Sequence, residues 1–186
     1  MRSIFRYAPL PAICVTLLMA STAFGQAGAA KQLVFPEVDG WDKGDVATYP
    51  TAELGYSIPY ESEVGGTVTI YVYNGGLKSI ADGIDDPKVK GEIKKAESDI
   101  KAYGEAGYYQ NVKLVKSETV TIGGSRPVLY SLFSMKIRGA DVDSEIYLFG
   151  YKNNFIKIRA TRSKGKNGPA NSQMDKLLKD VIAVFK

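Results

Sequence analysis

Between residues 67 and 73 apolar and polar side chains alternate without a break. Val68, Ile70 and Val72 fall on one side, Thr67, Thr69, Tyr71 and Tyr73 on the other. A period of two predicts a strand with two unlike faces. The same logic predicts strands over 113–122 and 127–137. They flank Gly123-Gly124, a pair suited to the positive φ angles of a tight hairpin. Strands over 145–151 and 155–161 flank Lys152-Asn153-Asn154, a second hairpin signal. A shorter strand is expected at 56–60, where Pro59 suits an edge position.

Two segments change period to that of a helix. Asp86 is a natural N-cap and Pro87 fits the first helical position. Val89, Ile93, Ala96, Ile100 and Tyr103 then recur every three or four residues, and Gly104 or Gly107 ends the run. Near the end of the chain, Ser172 with Asp175 forms a capping-box pattern before Met174, Leu177, Leu178, Val181, Ile182 and Phe185. Each helix has one apolar stripe to bury, and the strands are the available surface. The order β–β–α–β–β–β–β–α predicts an α+β fold. It is a largely antiparallel sheet with two packing helices, an α/β/α sandwich.

This layout resembles the PsbP-like fold, named for an extrinsic photosystem II subunit. The best local matches are Asn154-Phe155-Ile156-Lys157-Ile158-Arg159-Ala160-Thr161 and the closing Val181-Ile182-Ala183-Val184-Phe185. The resemblance covers roughly residues 50–186, and its motifs are strand and helix patterns. It implies an exported, mostly non-enzymatic domain that docks on other proteins. The metal-binding histidines described for some members have no counterpart here, so that activity does not carry over.

Composition narrows the chemistry. The 186 residues include no histidine and one cysteine. Without imidazole there is no Ser-His-Asp triad and no His-ligated zinc or haem. The cysteine, Cys14, falls in residues 1–25, which read as a secretory signal. Arg2 and Arg6 form the basic start, residues 13–20 an apolar core, and Ala23-Phe24-Gly25 a cleavage site. The apolar run is too short to span a bilayer of about 30 Å, and Ile13 before Cys14 argues against lipidation. Export with cleavage near Gly25 predicts a periplasmic or secreted chain with no transmembrane anchor. A flexible lead-in follows over 26–34, then one globular domain over 35–186.

Charge is unevenly spread. Residues 26–111 carry 8 basic and 14 acidic side chains, residues 112–186 carry 14 basic and 6 acidic. The favoured expectation is that the halves complement each other within one domain. The alternative is a basic face for an anionic partner.

Four groups of residues are candidates for chemistry. Asp82, Asp85 and Asp86 are dense enough for a hard cation such as calcium. Acids also collect at helix N-termini, and capping is the favoured reading. Asp141, Asp143 and Glu145 share one side of an extended segment and could make half of a cation or glycosidase site, whose carboxyls stand about 5–9 Å apart. A solvated hairpin connection is the plainer reading. Lys157, Arg159, Arg162, Lys164 and Lys166 could grip an anion, although export and the lack of an RNA-binding aromatic motif argue against nucleic acid, and a solvated basic face is the favoured reading. Tyr71 and Tyr73, with Tyr108-Tyr109, offer flat apolar area with polar tips, suited to a ligand or protein contact as well as to sheet packing. Trp41 is either a plug for the sheet or a partner anchor.

The expected function is therefore a non-enzymatic binding or interaction domain whose partner is an envelope protein or a small anionic ligand. Its ligand-contacting residues would come from Tyr71, Tyr73, Arg159, Arg162 and Lys164, and no cofactor is required. The alternative is a carboxylate-based, cation-assisted hydrolase, which requires the two acidic clusters to converge in one cleft. A third possibility is an envelope stabiliser without a small ligand.

Overall fold

A computed structural model describes residues 33–64, 66–164 and 169–185. The signal segment and most of the lead-in lie outside the described residues. Among the described residues eight strands form one sheet, and all their pairings are antiparallel. They are β1 (Asp42–Lys43), β2 (Ala47–Thr48), β3 (Tyr56–Ser62), β4 (Gly66–Tyr73), β5 (Gln110–Ile122), β6 (Arg126–Ile137), β7 (Ala140–Tyr151) and β8 (Asn154–Ser163). Their spatial order is β1-β3-β4-β8-β7-β6-β5, with β2 beside β3. Helices α1 (Pro87–Glu105) and α2 (Pro169–Ile182) pack on opposite faces. The expected α+β sandwich is what the chain forms.

Consecutive hairpins arise where the backbone turns left-handed. Gly123 and Gly124 have φ of 62° and 79°, Lys152 and Asn153 have 44° and 64°. A third tight turn uses Arg138 and Gly139, at 51° and 82°. Arg-Gly is a weaker turn signal than Asn-Gly, so β7 starts at Ala140, five residues before the predicted strand. Pro59 also differs from expectation, because β3 is not the outermost strand. β1 pairs with Tyr60 and Glu61, β2 with Tyr56 and Ser57. Pro59 falls in the gap between them, where its missing N–H costs no ladder bond.

The strict alternation in β4 sorts the two cores. Val68, Ile70 and Val72 are buried beneath α2 with Ile156 and Ile158 of β8. The α2 stripe Met174, Leu177, Leu178, Val181, Ile182 is buried against them, each large side chain contributing about 1.5–3 kcal/mol by burial. Phe185 closes this core edge-on to Phe149, Tyr151 and Phe35. The helix begins at Pro169, so Ser172 and Asp175 lie inside it, not in a capping box at its start. Pro169 supplies the start signal instead, its absent N–H falling among donors that a helix leaves unpaired. Trp41 is core: it is 6% exposed, and its indole Nε1 donates to the Gln173 carbonyl at 3.2 Å. Leu33 already belongs to the domain, its amide donating to the Tyr56 hydroxyl at 2.7 Å.

On the other face Val89, Ile93, Ala96 and Ile100 of α1 pack on Phe133, Met135, Ile146 and Leu148. Asp86 caps α1 through its side chain, Pro87 is at the first position, and Gly107, with φ of 82°, follows the helix. A charged residue is buried within this stripe. Glu97, 4% exposed, accepts from Ser131 Oγ at 2.7 Å, Ser117 Oγ at 2.8 Å and Lys94 Nζ at 2.9 Å. It ties α1 to both β5 and β6. Because α1 lies over β5, β6 and β7, the β3–β4–β8 part of this face stays half-buried at Pro59, Thr69, Tyr71, Lys157 and Arg159.

Candidate functional site

That half-covered area gathers three of the five expected contact residues. The register of β4 with β8 sets Tyr71 opposite Lys157 and Thr69 opposite Arg159. The Lys157 ammonium lies 5.0 Å from the Tyr71 ring centroid and 5.1 Å from that of Tyr73. Such contacts contribute about 0.5–2 kcal/mol according to burial. Tyr73 donates its hydroxyl to Glu92 Oε1 of α1 at 2.7 Å, and burial together with that carboxylate pushes its pKa up. Arg159 stacks over Tyr109 at 5.6 Å and donates to its hydroxyl at 3.2 Å. Burial lowers the Lys157 pKa, opposed by the nearby charge of Glu92.

No carboxylate of the described residues lies within ion-pair distance of Lys157 or Arg159. Two residues apart on one strand face, they are about 7 Å apart at the backbone. They therefore present two cations held against tyrosine rings with no carboxylate in ion-pair contact, Glu92 acting on Lys157 from farther away. Tyrosine and arginine are over-represented where proteins meet, because they combine broad apolar area with directional polar groups.

Arg162 and Lys164 do not join this group. Period-two geometry turns Arg162 to the α2 side, where its Nη2 donates to Glu145 Oε1 at 2.8 Å. The Tyr130 hydroxyl donates to the same oxygen at 2.9 Å. Glu145 is 3% exposed, and burial raises its pKa with Arg162 partly offsetting the rise. Lys164 donates from Nζ to Ser134 Oγ at 2.8 Å, at the far end of β8. Lys166 lies outside the described residues. The expected single basic stretch is thus divided between two faces.

The acidic clusters have structural partners. Asp86 accepts from the Lys88 amide and from the Ala81 amide, each at 2.8 Å, which holds its carboxyl below the usual range. Asp82 accepts from the Lys152 amide at 2.7 Å, latching the loop before α1 to the β7–β8 turn. Asp82, Asp85 and Asp86 do not converge, and no metal-competent group of three such side chains occurs among the described residues. Asp141, Asp143 and Glu145 lie on strand β7, correcting the expected solvated connection. The first cluster sits beside the Gly150 end of β7 and the second runs from its other end to its middle, so the two are roughly 17 to 30 Å apart by strand rise.

Complementation of the two halves does not take the form of ion pairs between them, although Glu92 and Asp99 of the first half act on Lys157 from a distance. Each of the ion pairs among the described residues joins members of the same half. The reason is topological: successive hairpins bring sequence neighbours together, as in Lys136 with Asp141 across the β6–β7 turn. A cleft of about 580 Å³ is lined by Trp41 and Gln173 and rimmed by Glu37, Asp39 and Glu63; Tyr71, Tyr73, Arg159, Arg162 and Lys164 lie outside it.

Sequence reading named Tyr109 as a contact candidate but missed its pairing with Arg159, and it missed Glu92 and Glu97 altogether. For Tyr109 the available signal was its place just after α1, where a chain turning back to the sheet brings it against Arg159. Nothing in the local pattern marked Glu92 or Glu97.

No protein-family profile matches the chain, and no curated protein does. Among solved structures it is similar to the solution structure of cyanobacterial PsbP (CyanoP) from Synechocystis sp. PCC 6803. The TM-score is 0.53 and the identity 9%, over 86% of this chain and 96% of that one. At that identity the likeness concerns the backbone arrangement, and it agrees with the strand order and helix placement described above: the chain has a PsbP-like fold.

Proposed function

We propose that this protein is an exported interaction domain without catalytic activity, docking an envelope protein through the β3–β4–β8 face beside α1. The observation that carries the reading is the pair Lys157 and Arg159, half-buried against Tyr71, Tyr73 and Tyr109 with no acid in ion-pair contact. The PsbP-like fold supports an interaction role. The separation of the acidic clusters weighs against the hydrolase alternative, since catalysis needs convergent groups.

Affinity capture from envelope extract, with the mature domain as bait, tests this. The double variant Lys157→Met/Arg159→Met runs beside it, and Lys176→Met on the exposed side of α2 serves as control. A partner retained by parent and control should be lost about tenfold or more from the double variant. If the double variant melts like the parent and captures the same proteins, the face is not the docking site. Mass spectrometry of protein from its native host should place the mature N-terminus close to Gln26; a retained Met1 would overturn export.

A further inference from the structure

The two edges of the sheet are built differently. One ends in β1 and β2, strands of two residues each, too short to recruit another chain. The other is β5, thirteen residues long, whose only strand neighbour among the described residues is β6. Register shifts between Gln110 and Lys113 and between Leu114 and Lys116 blunt its first half. From Lys116 to Ile122 the ladder with β6 runs through seven consecutive pairs with no shift.

Pro127 fixes which backbone groups of this stretch face outward. It pairs with Thr121 but has no N–H, so that pair is of the non-hydrogen-bonded kind. Because the two kinds alternate, Ser117, Thr119 and Thr121 all turn their amides and carbonyls away from β6. All three residues are exposed, and no backbone group of the described residues bonds to them. The Ser117 side chain is fixed to Glu97, so the edge is held in place. Three donors and three acceptors spaced along an extended edge fit one class of ligand, another extended strand.

We propose that this edge pairs antiparallel with the same edge of a second copy, about a two-fold axis at Thr119. That register matches the whole shift-free stretch with itself. Thr119 faces Thr119 of the second copy and Ser117 faces Thr121, so all three outward residues exchange both backbone bonds. Hydroxyl side chains meet across the strands on the α1 side, a favourable cross-strand pairing. The neighbouring registers are worse. An axis at Glu118 sets two carboxylates directly opposite each other. One at Ser117 runs into the register shift beside Val115, and one at Val120 carries Lys116 and Ser117 past the partner's turn. The contact is small, at the low end of specific interfaces below about 1,200 Å², so the dimer is a weak one that forms on concentration or at a surface.

Sedimentation velocity of the mature protein from roughly 10 μM to 1 mM reads the association. Amide exchange at the two ends of that range reads the register. The expected result is dimer at the high end, with the amides of Ser117, Thr119 and Thr121 gaining protection while those of Glu118 and Val120 are protected throughout. Thr119→Pro removes an outward N–H that β6 does not use, and should weaken association at least about tenfold with an unchanged fold. Thr119→Lys tests the same point should the proline disturb β5. A parent that stays monomeric to 1 mM overturns the inference. So does a dimer that persists in both variants, or protection gained elsewhere than at the three alternate amides.

Discussion

Replacing Glu97 by alanine should destabilise the domain far more than an average helix-surface change. The carboxylate is 4% exposed and accepts three hydrogen bonds from α1, β5 and β6. Ser131 has no exposure of its own, so its orphaned hydroxyl costs about 1–3 kcal/mol. Lys94 and Ser117 reach water and add about 0–1 kcal/mol each. Lost packing adds about 0.8 kcal/mol for a methylene. The total, about 2–5 kcal/mol, is a large share of a typical domain stability of about 5–15 kcal/mol. At about 2–4 °C per kcal/mol for a domain of this size, the melting midpoint should fall by roughly 4–20 °C. A pH arm sharpens the test. Burial pushes the Glu97 carboxyl up, but bonds from Ser131, Lys94 and Ser117 outweigh it and hold the pKa below the ordinary 4.5. A depressed acid contributes stability above its unfolded pKa and loses it as pH falls through the folded one. The gap between the parent and Glu97→Gln should therefore be full at pH 7 and shrink below pH 4. Thermal and urea unfolding measure both. An alanine variant melting within two degrees of the parent, or a gap independent of pH, would refute the latch.

Three further outcomes follow from the packing. Ile93→Asp and Leu178→Asp each put an unpaired charge into one of the two cores, and the lost packing alone is about 2–5 kcal/mol; near-parental melting of either would show that its helix does not pack as described. Arg162→Met leaves the Glu145 carboxylate buried with its charge uncompensated, costing about 3–5 kcal/mol at neutral pH. Because burial raises the Glu145 pKa, folding then favours the protonated acid, so stability should recover as pH is lowered toward the ordinary carboxylate range; a flat profile contradicts this. Asp86→Ala should lower the melting midpoint while Asp86→Asn retains most of it, and millimolar calcium should change neither the parent nor the variants if capping is the role of this cluster.

Much of this architecture is legible in the sequence because it follows from local periodicity. The β4 alternation, the α1 and α2 stripes, the Asp86–Pro87 cap and the glycine and asparagine turns each depend on neighbours a few residues away, and with two amphipathic helices they allow little besides an antiparallel sandwich. Tyr71, Tyr73 and Arg159 could be nominated for the same reason, since side-chain chemistry on one strand face is a local property. What the sequence left open required knowing which distant segments meet. Arg162 separates from Arg159 by a parity that matters only once each face has its own helix. Lys157 and Arg159 are left without an ion-pair partner because α1 lies chiefly over β5 to β7 and brings Glu92 to the Tyr73 hydroxyl, near Lys157 but not in contact with it. Glu97 looks like a polar interruption of a helix until Ser117 and Ser131, twenty and thirty-four residues on, are brought beneath it. Hydrophobic pattern is written residue by residue, whereas polar contacts are short-ranged and directional, so only the finished packing decides which charge finds a partner and which is left facing outward.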